Sequence, residues 1–320
     1  GSNKSPYKNL KWERTTQWNF GVDFSFIRGR LGGSIDVYTS RTSDLLMTQT
    51  IPSLSGYPSQ LANVGATKNW GIDITLNAVP VKVAGFEWNS VLNLAYQKDE
   101  ITALADGATE DINNSWFVGE RISVFYGYAA NGLWQESDKD EMEKFNKNGH
   151  NFRAGMVRPV DQDGNYKIDA KDRVILGSST PNWTAGWVNT FSWKGIELAL
   201  ELYGRFGFMV NTGGEGQLGM YQQREISYWT PQNTGADYQM PIYSTSGGDS
   251  YSSLLGFKKA SFIKLRNISL GYNFDKKLCK AMRIENLKVY FQAKNLGDVY
   301  SSIDFMDLDL GRTYYNRGFT

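Results

Sequence analysis

The sequence predicts an all-β chain in which antiparallel strands form part of the wall of a transmembrane β-barrel, and three observations support this fold class. Apolar and polar residues alternate over runs of roughly ten residues, the length that a strand needs to cross a bilayer. Very short turns and very long polar connections join these runs alternately, as in outer-membrane barrels. Aromatic residues are also abundant, with 10 Trp and 18 Tyr among 320 residues, which suits interfacial girdles or a sugar-stacking surface.

Period-two alternation indicates the strands. In the first run, Phe20, Val22 and Phe24 share one face, whereas Gly21 and Asp23 share the other. Similar alternation recurs at residues 70–77, 86–97, 196–203, 268–274 and 287–292. It fits a soluble sandwich, whose apolar faces meet in a core, and equally a barrel, whose apolar faces meet lipid. Alternation therefore predicts strands without choosing between these folds.

Connection lengths favour the barrel. Short links are predicted at residues 27–31, 80–85, 193–195 and 275–285, and long ones at residues 39–67, 98–182 and 206–258. Soluble sandwiches keep most connections near about four to six residues at both ends. Lengthening on one side is typical of barrels with short periplasmic turns and long extracellular loops. The turns at residues 28–30 and 193–195 are accordingly expected to face the periplasm.

Composition excludes several classes of protein. The formal net charge is +1 and no charged block stands out, so nucleic acid is not an expected partner. The single cysteine, Cys279, excludes a disulfide framework. No apolar run approaches the roughly 20 residues of a transmembrane helix. About nine strands can be counted, and they cannot close a barrel by themselves, so we expect a longer polypeptide.

An acidic loop at residues 161–172 carries the sharpest local signal. Oxygen ligands fall at loop positions 1, 3, 5, 7, 9 and 12, the spacing by which an EF-hand-type loop wraps calcium. The candidate ligands are the side chains of Asp161, Asp163, Asn165, Asp169 and Asp172, and the backbone carbonyl of Lys167. Two positions depart from the pattern, because Tyr166 replaces Gly at position 6 and Asp172 replaces Glu at position 12. The loop therefore predicts a structural Ca²⁺ site, with an ion-free acidic turn as the alternative.

The long central connection holds further candidates. Residues 138–147 are charged at helical spacing and predict a short exposed helix. The lone His150 has no second histidine nearby for a zinc site and is expected to be solvated. Aromatic residues of the long connections alternate with polar ones, which suits contacts to sugars, to peptides or between loops. The candidates for ligand or partner contact are Trp116, Tyr126, Tyr128 and Trp229.

Several motifs, in order along nearly the whole chain, resemble those of one family. They lie at residues 9–13, 15–23, 55–57, 63–65, 69–73, 119–128 with 132–133, 172–177 with Pro181, 262–272 and 289–296. The segment Phe-Tyr-Gly-Tyr at residues 125–128 and the segment Val-Tyr-Phe-Gln-Ala-Lys-Asn-Leu at residues 289–296 are among them. Together they resemble the C-terminal half of the SusC/RagA family of TonB-dependent outer-membrane transporters of Bacteroidetes.

This resemblance implies a fold, a location and an activity. Residues 1–320 would be the C-terminal part of a barrel of roughly 22 strands, with the plug, the N-terminal extension and the last strand outside it. The complete protein would import oligosaccharides or peptides across the outer membrane and would not be an enzyme. Its expected partners are a SusD-like surface lipoprotein, the TonB complex and outer-membrane lipid.

Two alternatives to import remain. A glycan-binding β-sandwich or a surface adhesin would share the alternation and the aromatic loops. It would bury its alternating aromatic residues and stay monomeric without detergent. A glycoside hydrolase would need two carboxylates flanking the scissile bond, and the sequence nominates no such pair.

Overall fold

The computed structural model describes residues 4–5, 10–50, 54, 56–57, 59–63, 65–213, 226–241 and 249–313. Within them the chain forms two compact units. The first comprises the described residues of segments 1–122, 181–208 and 260–314, and the second comprises those of segments 123–180 and 209–259. Nearly all of the long strands belong to the first unit, whereas the second is built from two long connections.

Eight long strands form one sheet, in which each strand pairs with the next along the chain. They are β1 (Arg14–Phe26), β2 (Leu31–Ser43), β3 (Gly65–Val83), β4 (Phe86–Leu104), β5 (Trp183–Trp193), β6 (Ile196–Asn211), β7 (Phe257–Asn273) and β8 (Lys288–Ser301). Strands β1 to β6 pair antiparallel in succession, and so do β7 and β8. The predicted antiparallel all-β fold is confirmed.

Shorter elements lie between these strands. The short strands are Lys4–Ser5, Leu46–Thr50, Ser59–Asn63, Glu110–Asp111, Trp116–Phe117, Val124–Tyr128, Ala130–Leu133, Val157–Pro159, Arg173–Ser178, Met306–Asp307 and Arg312–Thr313. The helices are α1 (Lys139–Lys147) and α2 (Lys276–Ala281), with 3-10 turns at Ile27–Gly29, Ala105–Gly107, Ile112–Asn114, Glu136–Asp138, Ala170–Asp172 and Ser252–Gly256. No helix in the described part of the chain is long and apolar enough to cross a membrane.

One face of the sheet is apolar and exposed. The register aligns Val22, Ile35, Ile74 and Leu94 of β1 to β4 in one row across the sheet. In the next row, Phe20 is 71% exposed. A sandwich would bury such a face against a second sheet, whereas a membrane barrel presents it to lipid. The exposed apolar face therefore favours the barrel over the sandwich.

The opposite face is polar. Asp36 of β2 lies directly opposite Asp73 of β3. Thr75 of β3 donates a hydrogen bond of 3.0 Å to the Asn93 side-chain oxygen of β4. Because like charges directly opposite one another repel, such a pair is tolerated best where water screens it. In a membrane barrel, the apolar face would meet lipid and the polar face would line a water-filled lumen.

The sheet remains open within the described residues, with β1 and β8 as its edges. An open edge leaves backbone N–H and C=O groups unpaired, and lipid offers these groups no partner. The sheet is therefore part of a larger barrel.

The connections follow the predicted alternation of short and long. The links β1–β2, β3–β4 and β5–β6 are short. The β7–β8 link is longer because it contains the short helix α2. Three strands run further into the long connections than predicted, since β2 ends at Ser43, β4 at Leu104 and β6 at Asn211. Charged pairs such as Asp99-Glu100 interrupt the alternation there although backbone pairing continues. Within the β6–β7 link, residues 214–225 and 242–248 lie outside the described residues.

A buried ion pair fastens the segment after β8 to β7. Lys264 Nζ lies 2.8 and 2.7 Å from the two carboxylate oxygens of Asp307. Lys264 is 1% exposed and Asp307 is 2% exposed. Burial acts to raise the pKa of Asp307, but the hydrogen bonds from Lys264 and from the Leu310 and Asp309 N–H groups outweigh it, so the pKa lies below its usual value.

The second unit has its own hydrophobic core around α1. Met142 and Phe145 of this helix are buried with Trp134, Phe152 and Ile168. The predicted exposed helix is confirmed, since most of its charged residues are exposed, but its two apolar residues are buried. Met142 and Phe145 lie three residues apart, so they share the face that packs into the core.

Candidate functional site

The acidic loop brings three of its predicted ligands together. Carboxylate oxygens of Asp161, Asp163 and Asp172 all lie within 4.8 Å of one another. Asp172 is completely buried, and its two oxygens accept hydrogen bonds from the N–H groups of Gln162 and Asp169 at 2.8 and 2.7 Å. A buried carboxylate is costly unless it is well paired, so this group favours a nearby cation.

The backbone turns as a cation loop of this type requires. Asp161 accepts hydrogen bonds from the N–H groups of Gly164 and Tyr166, at 2.8 and 2.7 Å, through its two oxygens. Tyr166 occupies position 6, where the pattern has Gly, and adopts a φ of 59°. A left-handed residue at this position supplies the sharp turn. The departure at position 6 is therefore one of residue type and not of backbone conformation.

Two other predicted ligands, Asn165 and Asp169, make different contacts. The Asn165 side-chain oxygen accepts a hydrogen bond from the Lys167 N–H at 2.7 Å. Asp169 caps the turn Ala170–Asp172 by accepting from the Lys171 N–H, and its other oxygen lies 3.7 Å from Lys167 Nζ. The N–H of Lys171, followed by the ammonium groups of Lys167 and Lys171, lowers the pKa of Asp169 below its usual value. Asp169 lies outside the three-carboxylate group.

The donor set fits a hard divalent cation. Ca²⁺ prefers carboxylate and carbonyl oxygens in flexible arrangements. Each carboxylate oxygen that already accepts one N–H bond keeps a second lone pair for a metal. Asp161, Asp163 and Asp172 would hold the ion, whose two positive charges would offset two of their three negative charges.

His150 is placed differently from the prediction. Its ring stacks on Phe152 with 5.0 Å between ring centroids and an interplanar angle of 6°, and its Nε2 accepts a hydrogen bond of 3.0 Å from the Ile168 N–H. His150 is half-buried and not fully solvated as expected, because Phe152 stacks on its ring and Ile168, 18 residues further along the chain, donates to it. Burial, and then the charge of Lys167, lower the pKa of His150 below its usual value.

The stability of the structure around His150 is expected to decrease as the pH is lowered. The acceptor Nε2 requires neutral imidazole, and the unfolded histidine takes up its proton near pH 6.5, above the folded pKa. The contribution is complete above that value and is lost as pH falls from it towards the folded pKa. Hydrogen exchange at the Ile168 amide, corrected for intrinsic rates, should be faster at about pH 5 than at about pH 7. The variant His150→Gln keeps a neutral acceptor and should abolish this difference; a persisting difference would contradict the assignment.

The four aromatic candidates occupy different environments. Trp116 is 7% exposed in a core with Ala62 and Ile101 in the first unit. Trp229 is 2% exposed, and its indole N–H donates to the Gln135 side-chain oxygen at 2.9 Å. Both indoles therefore pack within their own units. Alternating polar neighbours did not reveal this burial, because the residues that cover the rings come from distant segments.

The two tyrosines lie on partly buried surfaces of the second unit. Tyr126 lies in the strand Val124–Tyr128 and pairs with Ile175. Tyr128 contacts Tyr251 edge-to-face, with 5.9 Å between ring centroids. It also borders a cleft of about 330 Å³, lined by Tyr128, Ala129, Ala130, Gly132, Leu176, Met209, Leu254, Leu255, Phe257 and Lys258. No local pattern predicts the aliphatic part of this lining, because Leu176, Met209 and Leu254 come from three separate segments.

Comparison with known families decides the class of protein. The family described as the β-barrel of TonB-dependent receptor-like proteins matches residues 1–296. The chain belongs to this family. Barrels of TonB-dependent receptors are outer-membrane proteins, so this chain is a portion of an outer-membrane barrel.

Individual relatives agree with the predicted SusC/RagA resemblance, which is confirmed. The chain is 29% identical over 309 residues to TonB-dependent receptor P3 of Formosa agariphila, covering 90% of this chain and 30% of that protein. It is 29% identical over 285 residues to TonB-dependent receptor SusC of Bacteroides thetaiotaomicron, covering 83% and 26%. The solved structure of the RagAB peptide transporter matches 97% of this chain and 34% of its own chain, with a TM-score of 0.75 and 24% identity. The chain thus spans less than a third of the curated relatives it matches.

Proposed function

We propose that the complete protein imports peptides or oligosaccharides across the outer membrane, with energy supplied through TonB. The observation that carries this proposal is the sheet, which has an exposed apolar face and a polar opposite face. The chain's membership of the TonB-dependent receptor family supports it as well. Import would proceed by capture, enclosure and release without covalent chemistry. The short links would face the periplasm and the long connections the exterior.

A SusD-like surface lipoprotein is the partner that we propose for the long connections. The support is the similarity to SusC and to the solved structure of the RagAB peptide transporter. The second unit has a packed core around Trp134 and Phe145, so it would present a defined surface to such a partner. Because Trp116 and Trp229 are buried, the exposed edges of Tyr126 and Tyr128 are the better candidates for contact.

The cleft beside Tyr128 favours peptide over oligosaccharide as cargo. Leu176, Met209, Leu254 and Phe257 give it an aliphatic and aromatic lining. Apolar side chains of a peptide would gain by entering such a lining, whereas sugar hydroxyls would lose hydrogen bonds to water there. Lys258 would pair with a carboxylate of the cargo.

We propose that the loop at residues 161–172 binds Ca²⁺ and that the ion stabilises the fold of the loop. Removing the ion would leave three carboxylates within 4.8 Å of one another without a cation to offset their repulsion. A chelator is therefore expected to increase proteolysis between Asp161 and Asp172, and added Ca²⁺ should reverse the effect. The variant Asp163→Asn should weaken this protection, whereas Asp140→Asn on the exposed side of α1 should not. Unchanged proteolysis in chelator would contradict the proposal.

Transport is tested with the full-length protein. It should fractionate with outer membranes, and uptake of labelled peptides by cells should stop when TonB is deleted. Uptake of oligosaccharides alone would contradict the cargo assignment and leave import intact. A soluble, monomeric full-length product would contradict import altogether.

A further inference from the structure

Two short connections of the sheet lie side by side. The Asn273 N–H at the end of β7 donates a hydrogen bond of 2.8 Å to the Gly195 carbonyl in the β5–β6 link. A side chain at residue 195 would meet the Asn273 carbonyl at 2.7 Å, so this close approach requires glycine. The β5–β6 turn therefore adjoins residues 274–284, here called the α2 segment, and the two form one continuous surface at the short-turn end of the sheet.

This surface is basic. Lys276, Lys277, Lys280 and Arg283 are all exposed, and Lys194 of the neighbouring turn lies with its Nζ 4.8 Å from the centre of the Trp193 ring. We call these five cations the basic edge. Within the described part of the chain, the four cations of the α2 segment form no ion pair. Their positive charge is thus available to an external anion.

Apolar side chains lie among these cations. Leu278, Met282 and Ile284 are 45%, 49% and 37% exposed. Leu278 and Met282 are four residues apart and share one flank of the α2 turn, while Lys276 and Lys280 share another. Cys279 alone is buried beneath them. The segment therefore has an exposed basic flank and a partly exposed apolar flank.

The apolar flank continues the lipid-facing surface of the sheet. Trp193 pairs with Ile196, and Tyr272 pairs with Val289, across the strand ends that adjoin the basic edge. All four residues are more than two-fifths exposed. Since these rows meet lipid in the outer membrane, the adjoining edge lies at the level of the lipid headgroups.

We propose that the basic edge binds anionic phospholipid headgroups, while Leu278, Met282 and Ile284 enter the boundary between headgroups and acyl chains. Charge complementarity and continuity with the lipid-facing strands both identify this occupant. The combination of cations with adjacent apolar groups is that of segments that lie in a membrane interface. Binding of this kind would fix the height of β5 to β8 in the bilayer, and it depends on neither the cargo nor TonB.

The test uses the full-length protein in nanodiscs that contain equal amounts of phosphatidylglycerol and phosphatidylethanolamine. Native mass spectrometry then measures which lipid the protein retains. Wild type should retain phosphatidylglycerol preferentially. Because each cation near an anionic surface contributes roughly fivefold to association, the triple variant Lys276→Gln/Lys277→Gln/Lys280→Gln should lower phosphatidylglycerol association by roughly a hundredfold.

Two matched variants separate a charge effect from a general one. Arginine at the same three positions should restore phosphatidylglycerol retention. The triple variant Lys139→Gln/Lys147→Gln/Lys171→Gln makes the same charge change at exposed lysines of the second unit and should leave retention unchanged. Equal retention of the two lipids by wild type would overturn the proposal without any variant having to fold. Equal loss in both glutamine variants would overturn it too.

Discussion

Replacement of Lys264 by Met is expected to lower the free energy of unfolding by about 3–5 kcal/mol, because it leaves a buried carboxylate without its cation. Asp307 is 2% exposed, and Lys264 supplies hydrogen bonds to both of its oxygens. The Asp309 and Leu310 N–H groups would remain, but they do not neutralise the charge. Urea unfolding of the full-length protein in lipid vesicles measures the change.

A double variant tests the cause of this loss. Lys264→Met combined with Asp307→Leu removes both charges and should recover most of the lost stability, since an apolar pair often replaces a buried ion pair without cost. The control Lys277→Met changes an exposed lysine and should alter stability by no more than about 0.5 kcal/mol. A double variant as unstable as Lys264→Met would contradict the ion-pair explanation.

Replacement of Ile74 by Lys is expected to cost about 2–4 kcal/mol of folding free energy in a bilayer, because it places an ammonium group on the lipid-facing side of the sheet. Ile74 lies near the middle of β3, in the row formed with Ile35 and Leu94. The control Asn77→Lys introduces the same charge on the opposite face of the same strand, where Asn77 is exposed.

Folding into lipid vesicles with urea denaturation measures both variants. The lumen-side control should be nearly neutral, since water solvates its charge. Equal costs for Ile74→Lys and Asn77→Lys would mean that the two faces of the sheet meet similar environments, contrary to the barrel assignment.

The strands could be predicted from the sequence because alternation is a local property. Phe20, Val22 and Phe24 mark a face by spacing alone, and the structure leaves that face unburied. The ends of the strands were harder to predict, since residues such as Asp99 and Glu100 break the alternation while backbone pairing continues. Pairing needs only backbone groups, so it extends beyond the side-chain pattern.

The candidate site was predicted in part for the same reason. The clustering of Asp161 and Asp163 follows from their spacing in a short loop, and Asp172 joins them at loop position 12, as predicted. The burial of Trp229 and the enclosure of His150 depend on segments that are distant in sequence. The Lys264–Asp307 pair likewise joins residues 43 apart. Neither periodicity nor local composition predicts contacts between residues that are so far apart in the sequence.

The alternation of β3 places successive residues in lipid and in water as the strand crosses the outer membrane. It is tested most directly by single nitroxide labels at residues 72–76 of the full-length protein in lipid vesicles, in a Cys279→Ser background. Labels at positions 72, 74 and 76 should collide with lipid-soluble oxygen, and labels at positions 73 and 75 with a water-soluble nickel chelate. Collision rates without this two-residue period would contradict the account.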